Sequence, residues 1–315
     1  LRTTAGRLAM VTYVGNYPLR ARSGKVGGGG RCVQARASVM ADWLFSLRVL
    51  ILSKLMTLEA MTRPLPGITA PLAAETTSND PPPASLVNAD RLDFLRALPD
   101  GAARLILTSP PYNIGKEYER RSKVDAYLAA QAETIKECVR VLDERGSICW
   151  QVGNHIAGPQ QVIPLDIVLY PLFVQHGLKL RNRIIWHFEH GLHCSKRFSG
   201  RYETIMWFTK GDDYVFNLDP VRVPQKYPGK KHFRGEKAGQ LSSNPLGKNP
   251  GDVWIFPNVK HNHIEKTIHP CQFPVELVER LVLSMTEPGD LVIDPYIGVG
   301  STAVGALLHG RRAAG

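Results

Sequence analysis

Paired cysteines are absent. The five cysteines (Cys32, Cys138, Cys149, Cys194 and Cys271) are scattered and none forms a C-x-x-C pair, which argues against structural zinc and for reduced thiols in a cytoplasmic protein. An uninterrupted apolar span is missing as well. The longest apolar stretch, residues 43–61, is broken by Arg48, Lys54 and Glu59, whereas a membrane-spanning helix needs about 20 largely uncharged residues. The same stretch lies too far from residue 1 to serve as a secretory signal. Acidic residues are in deficit: 39 Lys and Arg face 28 Asp and Glu, for a formal net charge of +11. An excess of this size suggests a polyanionic partner. Neither G-x-x-x-x-G-K-S/T nor G-x-G-x-x-G occurs, so two common phosphate-cradling loops are excluded.

What is present is a chain of 315 residues, 43% of them hydrophobic, enough to bury one large core with or without an insertion. Residues 1–60 are basic, nearly free of acids, and carry a glycine run at 27–30 without any sustained period. They read as an unstructured or spurious upstream segment, with Met56 or Met61 as the initiator, in preference to a basic nucleic-acid arm. Residues 61–84 are rich in Pro, Thr, Ser and Ala and predict a flexible leader. Order is expected from residue 85: a short strand at 85–90, a helix at 91–98, a buried strand at 104–108, an amphipathic helix at 124–142 and a strand at 146–152. A helix at 164–176 and an antiparallel edge pair at 183–188 and 203–209 follow. Alternation of this kind argues for an α/β sheet with parallel strands. Residues 211–266 lose periodicity and gather Lys226, Lys230, Lys231, Arg234 and Lys237. A helix at 274–285, a strand at 291–294 and a helix at 301–309 close the chain.

Two constellations carry chemistry. The run Thr108-Ser109-Pro110-Pro111-Tyr112 ends a strand, because consecutive prolines neither continue a ladder nor sit inside a helix. In an open α/β sheet, ligands bind beyond the carboxyl ends of strands. The turn therefore presents a hydroxyl, stiffened carbonyls and an aromatic ring at the productive edge. The second run, Asp294-Pro295-Tyr296-Ile297-Gly298-Val299-Gly300-Ser301-Thr302, joins a strand to a helix. Gly298 and Gly300 permit a tight turn and close approach, and the helix start offers free N–H groups. Asp294 disfavours a phosphate and suits a cationic or hydroxylated cofactor.

Together these runs resemble the β-class of DNA amino-methyltransferases, in which a catalytic Asp/Asn/Ser-Pro-Pro-Tyr/Phe motif precedes a D-P-F-x-G-x-G-S/T-T cofactor motif. A third element, His269-Pro270-Cys271-Gln272-Phe273-Pro274, resembles the family's H-P segment. The resemblance covers residues 85–315. It implies a Rossmann-like class I methyltransferase sheet in permuted order: a catalytic half at 85–210, an irregular target-recognition insertion at 211–266 and a cofactor-binding half at 267–315. It further implies S-adenosylmethionine as the methyl donor, double-stranded DNA as the partner and a cognate restriction endonuclease in the same system. Ser109, Pro110, Pro111 and Tyr112 would be catalytic. Asp294, Pro295, Tyr296, Gly298, Gly300, Ser301, Thr302, His269, Pro270 and Phe273 would hold the cofactor, together with Asp90 beside its adenine; for Asp90 a helix N-cap is an equal reading.

The chemistry follows from the target. An exocyclic amine is a poor nucleophile because its lone pair is delocalised into the ring. Acceptors at Ser109 and the Pro110 carbonyl would favour a pyramidal nitrogen, and Tyr112 would stack on a base rotated out of the duplex. Ser109 in place of Asp, and Phe273 in place of Lys, lean towards cytosine N4 over adenine N6. The basic insertion would neutralise phosphates. The histidines at 187, 190 and 193 and the triplet His261-Asn262-His263 are read as no metal site, and Cys138 and Cys149 as core residues. In the family, a strand ending in an acidic ribose ligand follows the last helix. The chain ends at Gly315, so the resemblance implies a fragment with weak cofactor binding. A DNA-binding module without activity is the reading from a different class.

Overall fold

Three buried residues in a row, Leu105, Ile106 and Leu107, all fully excluded from solvent, set the character of the sheet. A strand buried on both faces needs helices on both sides. The computed structural model describes residues 83–158, 161–191 and 193–315. The upstream segment and most of the leader expected before residue 84 lie outside the described residues.

The eight-stranded sheet runs in the order β1-β10-β9-β2-β3-β7-β6-β8. Its parallel core comprises β1 (Ala84–Ser85), β10 (Arg312–Ala314), β9 (Leu291–Ile293), β2 (Ala103–Thr108) and β3 (Leu142–Val152). Alternation of side chains along each strand sorts the core into two layers. One layer joins Leu105, Leu107, Cys149 and Val292 to the helices α4 (Val275–Met285) and α5 (Ser301–Leu308). The other joins Ile106, Ile148, Trp150 and Ile293 to α1 (Arg91–Arg96), α2 (Val124–Val141) and α3 (Leu165–Val174). Each such Leu or Ile contributes roughly 1.5–3 kcal/mol by leaving water. Cys138 and Cys149 are wholly buried within these layers, and burial pushes both thiols up.

Several sequence expectations need correction. Ala84 belongs to the sheet, not to a flexible leader: it pairs with Ala313. The antiparallel pair β6 (Lys179–His187) and β7 (Tyr202–Thr209) is not the edge. Strand β8 (Val253–Ile255) lies outside β6 and parallel to it. Residues 211–266 hold only a 3-10 turn at Asp219–Val221 and strand β8, yet they pack on the sheet, with Val215, Val221, Trp254, Phe256 and Val259 buried. A strand of only three residues leaves too few positions for a period to show. A small hairpin of β4 (Asn154–Ile156) and β5 (Val162–Pro164) was not expected either. Arg312–Ala314 form β10, and Gly315 exchanges backbone hydrogen bonds with Ser85 and Val87 at 3.1 and 2.9 Å. A strand therefore forms within residues that the family resemblance had placed before one.

Candidate active site

β2 and β9 are adjacent and parallel, with Leu105 opposite Val292 and Ile106 opposite Ile293. Their carboxyl ends therefore emerge side by side, which brings the Pro-Pro turn and the glycine turn to one edge of the sheet. The contact is direct. Thr108 Oγ1 donates to Asp294 Oδ1 at 2.5 Å, and Thr302 Oγ1 donates to Asp294 Oδ2 at 2.7 Å. The Tyr296 N–H also reaches Asp294 Oδ1, at 3.0 Å. Asp294 is 2% exposed. Burial raises its carboxyl to about 6, against the opposing pull of these hydrogen bonds. As placed, the carboxylate holds the two loops together instead of facing outward.

On the catalytic side, Pro110 is buried while Ser109, Pro111 and Tyr112 are half-buried. The loop beyond them is shaped by Glu119, whose carboxylate accepts the N–H groups of Asn113, Ile114 and Gly115 at 2.8, 2.7 and 3.0 Å. Asn113 takes a left-handed φ of 58°, a conformation Asn tolerates better than most residues, and its amide donates to the Ser122 carbonyl at 2.8 Å. The Tyr112 hydroxyl lies 2.9 Å from Gln151 Oε1, 3.1 Å from Glu203 Oε2 and 3.4 Å from Ser109 Oγ. The ring passes so close to β3 that a Cβ at Gly153 would meet Tyr112 Cε2 at 2.9 Å. Gly153 is therefore required by the approach of the tyrosine. Burial pushes the Tyr112 phenol well up and the Glu203 carboxyl up.

On the other side, Gly298 and Gly300 have φ of 53° and 84°, the left-handed region that disfavours a Cβ. Ser301 and Thr302 open α5 and are buried. Tyr296 is anchored by its polar end: Gln131 Nε2 donates to its hydroxyl at 3.2 Å, and the Thr134 hydroxyl lies 3.4 Å away. Pro295 is half-buried beside it.

The remaining predicted residues divide. Asp90 caps α1, accepting the Leu92 N–H at 2.8 Å. Its neighbour Arg91 bonds Thr134 at 2.9 Å and lies over the Tyr296 ring at 5.7 Å, so this corner of the chain adjoins the glycine turn. His269 stacks on Tyr118, with ring centroids 5.2 Å apart, and Tyr118 donates to Cys271 Sγ at 3.5 Å. The His269 segment thus touches the loop that follows the Pro-Pro turn. Pro270 is exposed, and Phe273 packs on the core. Lys226, Lys230, Lys231, Arg234 and Lys237 are all exposed, on a loop laced by bridges between Lys231 and Leu241 and between His232 and Ala238. Among the described residues, no three His, Cys, Asp or Glu side chains gather as metal ligands, and no helix is long and apolar enough to cross a membrane.

Sequence reasoning missed Glu119, Gln151 and Glu203. Gln151 and Glu203 sit inside expected strands, where nothing local distinguishes them. Only the pairing of Gln151 with Ile205 and Val152 with Thr204 brings both towards Tyr112.

A mixed sheet that carries these two turns on neighbouring parallel strands is of the class I methyltransferase type. The PvuII DNA methyltransferase (cytosine-N4-specific) superimposes with a TM-score of 0.58 at 20% identity, over 73% of this chain and 80% of that one. The chain belongs to the DNA methylase family, whose model matches residues 103–315. The Type II methyltransferase M.BglII of Bacillus subtilis is 54% identical over 218 residues, or 69% of this chain and 61% of that protein. The match thus spans somewhat under two thirds of the relative's length. The DNA adenine methyltransferase YhdJ of Escherichia coli (strain K12) is 30% identical over 234 residues, 72% of this chain and 76% of that protein.

Proposed function

We propose that the chain transfers a methyl group from S-adenosylmethionine to the exocyclic amine of a base in double-stranded DNA, with cytosine N4 the preferred target. The observation that carries the reading is the Asp294 carboxylate, which joins Thr108 of one loop to Thr302 of the other. This clamp supports the reading because it joins the strand that leads to Ser109 to the helix that follows the glycine turn. The glycine turn suits the donor: a Cβ at Gly298 would face open space except for Tyr296 O at 3.7 Å, so a ligand can approach the backbone there. Gly298, Gly300 and the start of α5 would hold its amino-acid end, and Tyr296 its body. When bound it supplies an activated methyl.

The chain's own groups do the rest. Ser109 and the Pro110 carbonyl accept from the amine, which localises the lone pair for in-line attack. Tyr112 stacks on the base after it leaves the duplex. The exposed lysines and Arg234 engage phosphates. A cognate endonuclease is the partner that a Type II modification system implies. YhdJ is named for adenine and PvuII for cytosine N4, so the base preference rests on Ser109 and Phe273. The test is transfer of tritiated methyl to DNA, with Ser109→Ala as control, followed by nucleoside analysis. N4-methylcytosine supports the full reading, N6-methyladenine corrects the base, and no transfer by the unaltered chain overturns it.

A further inference from the structure

We propose that Glu203 is a positioning residue for methyl transfer: its carboxylate sets the direction of a hydroxyl chain from Ser109 through Tyr112, away from the target amine. The inference rests on the reading of the Pro-Pro turn given above. Its geometry does not depend on which base is methylated.

A phenol has one proton to donate. The Tyr112 oxygen lies 2.9 Å from Gln151 Oε1 and 3.1 Å from Glu203 Oε2, and both of those atoms are acceptors. Gln151 also donates through Nε2 to Glu203 Oε2. This fixes the amide so that Oε1, not the NH₂ group, faces the phenol. The Tyr112 proton is thereby committed to the Gln151–Glu203 side. Its lone pair is left for the Ser109 hydroxyl, 3.4 Å away. Once Ser109 donates to Tyr112, its own lone pairs face the remaining direction, where an amine N–H can be received. Without the carboxylate, nothing anchors the Gln151 amide, so its NH₂ can turn to the phenol and reverse the order.

The chain also gives the surplus proton a path. As the amine nitrogen bonds the methyl carbon, the carbon–sulfur bond breaks and its electron pair stays on sulfur. The nitrogen becomes positive and must lose one proton. That proton passes to Ser109 Oγ as the Ser109 proton passes to Tyr112 and the Tyr112 proton to Glu203. The carboxyl ends neutral and the methylated amine ends neutral. Burial favours this outcome, since it raises the Glu203 carboxyl above the ordinary glutamate value, while the hydrogen bonds from Tyr112 and Gln151 and then the Lys116 charge pull the other way. Tyr112 and Gln151 are its hydrogen-bonded neighbours, and Tyr118 and Lys116 are the other titratable groups that feel it.

The experiment compares the chain with Glu203→Gln and Glu203→Asp in single-turnover methyl transfer across pH, with calorimetric binding of S-adenosylmethionine beside it. An amide at 203 offers a donor as well as an acceptor, so the direction of the chain is lost. The expected ratio of the unaltered rate to the Glu203→Gln rate is near unity where Glu203 is protonated. It rises to roughly tenfold or more where Glu203 is ionised. Taking the ratio cancels any group common to both proteins, Asp294 included. Cofactor affinity and KM for DNA should stay within about twofold, and Glu203→Asp should restore part of the rate. A ratio that stays at unity across the range overturns the proposal. If the unaltered chain transfers no methyl at all, the functional reading fails separately, and the hydroxyl chain is judged from the carboxyl itself. Carbon-13 NMR of labelled glutamates should then show Glu203 titrating above the exposed glutamates and moving in Tyr112→Phe. A Glu203 that titrates with the others and ignores Tyr112→Phe overturns it.

Discussion

Thr108 and Asp294 stand 186 residues apart in the chain, and their side chains meet at 2.5 Å in the buried seam between β2 and β9. The hydroxyl comes from the strand that leads into the catalytic turn, and the carboxylate from the strand that leads into the glycine turn. Replacing Thr108 with the isosteric Val removes one donor to the buried carboxylate and leaves Asp294 Oδ1 with the Tyr296 N–H, at a cost of about 1.5–3 kcal/mol for a hydrogen bond to a charged group. We expect a lower melting temperature in Thr108→Val, together with weaker binding of S-adenosylmethionine by calorimetry. Equal stability and equal affinity would mean that the clamp does not couple the loops.

The same carboxyl makes a pH prediction. Its folded value of about 6 lies above the unfolded value of about 3.9. Between the two, the folded chain binds more protons than the unfolded one, so stability falls as pH rises through this window. The loss amounts to about 3 kcal/mol for this group. Asp294→Asn cannot ionise. Denaturant unfolding of both proteins should therefore show a stability difference that shifts in favour of the variant between about pH 4 and pH 6.5. A difference independent of pH would contradict the raised value.

At Gly305 one helix packs tightly against another. A Cβ there would meet Val278 Cγ1 at 2.4 Å, inside the layer formed by α4 and α5. Gly305→Ala should destabilise the fold by about 1–3 kcal/mol through overpacking. Pairing it with Val278→Ala should recover part of the loss, because the second change removes the colliding methyl. Thermal melts of the single and double variants decide this; a double variant that melts below both single ones would be unexpected.

The five basic residues on the 226–237 loop are exposed. If they face phosphates, neutralising them should weaken binding to all duplexes alike and flatten its salt dependence by about 0.9 in log–log slope per lost contact. Fluorescence anisotropy over a salt series measures this. An unchanged slope would place DNA on another face.

The Pro-Pro turn and the glycine turn were legible because both are local: each is written in consecutive residues with backbone restrictions of their own. The helices 124–142 and 274–285 were legible for a similar reason, since their apolar stripes repeat over several turns. Strand β8 was not. Trp254 and Phe256 are buried, yet the strand has only three residues, too few to show alternation. Glu203 was invisible as a site residue because its partners, Tyr112 and Gln151, come from loop and strand positions far away in the chain.

Taken alone, the sequence determined the kinds of turn, the order in which they occur, the basic excess and the family these imply. Those depend on φ restrictions, hydrogen-bonding capacity and charge, which each residue carries with it. The tertiary structure decided where Asp294 spends its carboxylate and which side chains direct the Tyr112 proton. It also decided that Val253–Ile255, just beyond the basic loop, add a strand outside β6. Those outcomes depend on which strands become neighbours and on what burial does to a charge, and neither can be read from a residue before the chain has packed.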